Sequence, residues 1–114
     1  MIEVSGKSIL FMDYSNVGPA DLDAILTAGR SIIDKAEPKS ILLLSDFTDV
    51  TYDRESSNRM KDFSKQNTPF IKASAVVGIT GLKKVIYKGV VRASGRNIQL
   101  CETIEDGQKW LASQ

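Results

Sequence analysis

The chain of 114 residues contains no histidine, one cysteine and three prolines. Without imidazole there can be no Ser-His-Asp triad, no Cys-His pair and no histidine metal ligand. Any chemistry has to come from carboxylates, lysines or the thiol of Cys101. A single cysteine forms no internal disulfide, which suits a reducing cytoplasm, and a cytoplasmic location is expected. Apolar runs such as Ile41-Leu42-Leu43-Leu44 fall far short of a membrane span. Glu3 stands near the start with no long apolar core behind it, so no secretory signal is expected.

Charge of one sign is missing from one long stretch. Between Thr68 and Cys101 there are six basic residues (Lys72, Lys83, Lys84, Lys88, Arg92, Arg96) and no acidic one, whereas eleven of the fourteen acids precede position 63. The net charge of +1 conceals this segregation. One basic region on a neutral chain fits an anionic partner on one face. It is too little for nucleic acid, which is not expected.

What is present reads as alternating strands and helices. Residues 2–4 and 8–13 have strand character and are joined through Ser5-Gly6-Lys7 as a hairpin. Gly18-Pro19-Ala20-Asp21 starts a helix, with proline at its first position. Leu22, Ile25, Leu26, Gly29, Ile32, Ile33 and Ala36 give that helix one apolar face, and Pro38 stops it. The run 41–44 suits a strand buried on both faces. A polar helix over about 55–65 follows, pinned by Met60 and Phe63. Next come a strand over 71–79, a helix opened by Thr80-Gly81 and a short strand over 97–101. Thr103 then starts a last helix anchored by Trp110 and Leu111. Gly29 and Gly89 fall on apolar helix faces, where close packing on the sheet is the functional reading and a tolerated glycine the bland one. The expected fold is a single α/β domain over 1–114: a five-stranded, mostly parallel mixed sheet with an N-terminal hairpin and four helices.

This element order, together with "ILLLSDFTDVTYDRESS", resembles the STAS domains, the fold of bacterial anti-sigma-factor antagonists. "FIKASAVVGITGLKKVIYKGV" is similar to a bacterial subgroup described as STAS/SEC14-like. In the resemblance, Asp46 and Val50-Thr51-Tyr52 match the family's strand end and turn. Arg54 and Glu55 stand where the family has Asp-Ser, Ser56 takes the phosphorylated position, and Ser57 replaces a glycine. The resemblance implies a non-enzymatic regulatory or scaffolding module that binds another protein through Asp46, Asp49, Arg54, Ser56 and Ser57. Its SEC14-like side implies a small-molecule or lipid ligand as the alternative. A homodimer stays open.

Three local readings keep their alternatives. Ser56 or Ser57 either caps a helix or, for Ser56, accepts a phosphate that helix-end amides would accommodate. Asp13, Asp46 and Thr80 fall at strand ends that share one edge of a parallel sheet, as in phospho-acceptor receiver domains that hold Mg²⁺. The acidic doublet and the lysine loop of those domains are absent, so turn-forming aspartates are the default and neither metal nor cofactor is expected. Thr80, Lys83 and Lys84 at a glycine-flanked helix start could meet an anion, or could be a cap with solvated lysines. Cys101 reads as buried and inert.

Overall fold

A computed structural model describes residues 2–4, 6–51, 53–80, 84–85, 88–89 and 96–114, without the side chains of residues 2–4 and 57. The strands are β1 (Ile2–Val4), β2 (Lys7–Asp13), β3 (Ile41–Asp46), β4 (Ile71–Val77) and β5 (Ile98–Cys101). The helices are α1 (Pro19–Ile33), α2 (Arg54–Asn67) and α3 (Ile104–Ala112). The strands lie side by side in the order β1-β2-β3-β4-β5. From β2 to β5 every pairing is parallel, and β1 joins β2 antiparallel through a turn with Gly6 at φ 79°.

The α/β class therefore stands, with three helices among the described residues where four are expected. The remaining one, expected after Thr80, falls mostly outside the described residues, of which Lys84, Val85, Lys88 and Gly89 are helical. A Cβ at the exposed Gly89 meets nothing within 4 Å, so among the described residues its close packing is not found. Gly29 is the opposite case. A Cβ there would lie 2.9 Å from Met12 Sδ and 3.3 Å from Phe63 Cζ. Here the missing side chain lets α1 press on both the sheet and α2.

Pleat alternation divides the core in two. Leu10 and Met12 of β2 and Tyr14 just past its end, with Ile41 and Leu43 of β3, meet Leu22, Leu26 and Ile33 of α1 and Phe63 of α2. Ile9, Leu42, Leu44, Ala73, Ala75 and Val77 meet Leu111 on the other face, where α3 lies. All six residues of β3 are buried, as a strand covered on both sides requires. α1 already ends at Ile33, capped by Asp34, so Pro38 lies beyond the helix and does not stop it. The Cα radius of gyration is 13.3 Å, matching the roughly 13 Å expected of one compact domain near 100 residues.

Candidate functional site

Parallel pairing puts the C-terminal ends of four strands on one edge, and the register places Asp13, Asp46, Val77 and Cys101 there in a single row. Two of the expected edge residues, Asp13 and Asp46, are thus direct neighbours. Their carboxylates turn into their own loops. Asp13 Oδ1 accepts from the Ser15 amide at 2.9 Å and the Ser15 hydroxyl at 2.5 Å. Asp46 Oδ1 accepts from the Thr48 amide at 2.9 Å and the Thr48 hydroxyl at 2.6 Å. Both are side-chain-to-backbone turns of the kind aspartate favours at loop starts.

The two loops are copies of one turn. Asp13-Tyr14-Ser15-Asn16-Val17 and Asp46-Phe47-Thr48-Asp49-Val50 have the same pattern, 33 residues apart. Asn16 and Asp49 take left-handed φ values of 57° and 53°, which these two residue types tolerate. The Val17 amide donates to Tyr14 O and the Val50 amide to Phe47 O, each at 3.2 Å. The Tyr14 and Phe47 rings stack with centroids 4.8 Å apart. Further backbone bonds join the copies: Tyr14 N to Asp46 O and Asn16 N to Thr48 O at 2.9 Å, and Thr51 N to Val17 O at 3.0 Å. One rigid double turn results. Its sequence signal is a short repeat, Asp-aromatic-hydroxyl-Asn/Asp-Val, which falls below the length at which repeats draw notice.

Three residues separate the second copy from Arg54, where α2 begins, and its start differs from the expected one. Neither Ser56 nor Ser57 is the cap. Asp53 is, and its side chain accepts from the Ser56 amide at 2.7 Å. Ser56 is the third helical residue, and its hydroxyl accepts from the Asp53 amide at 2.9 Å to close a capping box. Ser56 is 0% exposed. A phosphate on that hydroxyl has to open the first turn of α2 before it can meet any helix-end amide. The side chain of Ser57 lies outside the described residues, as does Lys83.

Bonds from the Ser56 amide and then its hydroxyl hold the Asp53 carboxyl below its ordinary value of 3.8. The stabilisation linked to a lowered carboxyl pKa is present above the unfolded value and is lost as pH falls through the folded one. Ser56→Ala removes one bond of the box and is expected to cost about 0.5–2 kcal/mol at neutral pH. The difference from the parent should shrink below pH 4, which denaturant midpoints across an acid series will show.

Around this start the surface is polar and exposed. Thr48, Asp49, Thr51, Asp53, Arg54 and Glu55 all face solvent. Asp49 and Arg54 enter no ion pair among the described residues. Arg59 reaches Glu55 at 2.8 Å and Asp23 of α1 at 2.5 Å, so it bridges the two helices. At the other end of α2, buried Asn67 accepts from Arg30 of α1, whose guanidinium lies 5.4 Å from the Phe63 ring centroid. Polar Ser56 and Asn67 thus share the buried face of α2 with Phe63 and Met60.

The rest of the edge does not converge. Thr80 is exposed, three residues past the row, and Lys84 is half-buried. Among the described residues no three Asp, Glu or Cys side chains come together as a metal-holding group. Burial, then the nearby Asp106 carboxylate, push the Cys101 thiol up and favour its protonated form. Among the described residues no helix is long and apolar enough to cross a membrane. Compared with known protein families, characterised proteins and solved structures, the chain matches none.

Proposed function

We propose that the chain is a STAS-like regulatory or scaffolding module that acts by binding another protein through the exposed residues Thr48, Asp49, Thr51, Asp53, Arg54 and Glu55. The observation that carries this reading is the double turn. It fixes in place a loop whose charges, Asp49 and Arg54, are spent on nothing within the described fold. Functional loops on a rigid scaffold are built this way. The strand order lends support as well. Ligand crevices in open α/β sheets form where the order reverses, and β1-β2-β3-β4-β5 never reverses.

Arg54→Glu and Asp49→Asn test the reading. Glutamate suits the first turn of a helix and asparagine tolerates the left-handed backbone, so both variants should fold like the parent. Each is expected to weaken a bound protein partner by roughly tenfold, measured by titration of the partner recovered with the tagged parent chain. Lys109→Glu, exposed on α3 across the sheet, should change nothing. Equal affinity for all three variants would remove this surface from the reading.

A further inference from the structure

The outward arc of α1 carries no charge after Asp21, and the next one on that side, Lys35, stands in the turn just past the helix end. Ala24, Thr27, Ala28, Ser31 and Ile32 are all exposed there, and Ile32, 41% exposed, is one of two exposed large hydrophobic residues among those described. The free side of a surface helix ordinarily carries its charges. In α1 the charged residues instead line the side towards α2, where Asp23 pairs with Arg59 and Arg30 reaches Asn67. Asp21 and Lys35 remain, both exposed, and neither forms an ion pair among the described residues. They stand seven residues before and seven after Ala28.

We propose that this face of α1 binds a second copy of the same chain, helix against antiparallel helix, about a two-fold axis at Ala28. Asp21, Ala24, Ala28 and Ser31 recur at alternating spacings of three and four along α1, the spacing that keeps one seam facing a partner helix, and Lys35 in the turn that closes the helix continues the series. Antiparallel pairing sets Asp21 against Lys35 of the second copy, and symmetry makes that contact twice. Parallel pairing would set like charges together, so the charges select the orientation. Alanine at the crossing lets the axes approach to about 8 Å, the short end of helix packing. The pattern is complementary to itself, which singles out a copy of this chain over a foreign helix. A seam of such small side chains buries less than the roughly 1,200 Å² of a stable complex, so the dimer is weak and reversible. It uses a different surface from the one at the start of α2.

Sedimentation equilibrium of the full chain, from about 10 μM to about 1 mM, should show a monomer passing into a dimer. Ala28→Arg places a good helix former on an exposed position and is expected to leave the thermal melt unchanged and the chain monomeric throughout. Asp21→Lys and Lys35→Asp should each weaken the dimer roughly tenfold, and the two together should restore the parent's affinity. That rescue is a result that mere surface damage does not produce. A parent that stays monomeric up to the highest concentration overturns the proposal. So does a dimer indifferent to Ala28→Arg, or a double exchange as weak as either single one.

Discussion

Gly78→Ala is expected to destabilise the fold by about 3 kcal/mol or more, the sum of backbone strain and an overlap that no rotamer relieves. Gly78 holds φ at 90°, a conformation that side chains rarely adopt. A Cβ there would lie 2.5 Å from Thr48 Oγ1 and 2.7 Å from Thr48 Cα, and would also strike the Thr48 amide nitrogen. Backbone cannot swing aside as a methionine tip can. The displaced groups are the very donors that hold Asp46, so the damage spreads from β4 into the double turn. Gly89→Ala is the control, because that helical glycine is exposed and faces open space. It should stabilise by roughly 0.5–1 kcal/mol through helix propensity. Denaturant midpoints of the two variants against the parent decide the matter. A Gly78→Ala midpoint equal to the parent's would mean that the β3 and β4 loops do not meet as closely as the structure has them.

The close approach at Gly78 could not have been read from the sequence, since "VVGIT" gives no hint of what lies opposite. Other features could be read, and the difference has a physical basis. The strand β3 was legible because four consecutive aliphatic residues need cover on both faces. Thr103 was legible as a cap because its bond to the Asp106 amide, 3.0 Å long, spans only three residues. Gly29 was legible because the helical period puts it on the apolar face of α1. The same argument failed at Gly89, where periodicity identifies a face without telling what presses on it.

The start of α2 shows a subtler failure. Asp53 and Ser56 have capping-box spacing, yet serine stands at the third position where glutamate or glutamine is the usual signal. A serine at that position reads as a cap in its own right, although it is the partner of one. Its burial, like that of Asn67, depends on tertiary packing around α2. Asn67 is held by Arg30 from a helix 37 residues away in sequence. No local pattern carries that information.

Asp46→Ala is expected to cost about 2–3 kcal/mol, while Asp13→Ala in the twin turn should cost less than about 1 kcal/mol. The two carboxylates make matching bonds, so hydrogen-bond geometry alone predicts equal losses. Burial separates them. Asp46 is 7% exposed whereas Asp13 faces solvent. Once Asp13 is gone, water can take over the Ser15 amide and hydroxyl. With Asp46 gone, the Thr48 amide beside Gly78 loses its acceptor and the buried site of the carboxylate is left empty, two losses that solvent at exposed Asp13 makes good. Asp46→Asn keeps an acceptor oxygen and should recover most of the difference. Chemical denaturation of the three variants, with m values compared to confirm one transition, reads this directly. Equal losses at the two aspartates would show that burial does not set the strength of the turn. A gain in stability for Asp46→Ala would be more telling. Residues kept for activity often reduce stability where they stand, so such a gain would mark Asp46 as held at the sheet edge for a task other than folding, and would reopen an acid-dependent chemistry there.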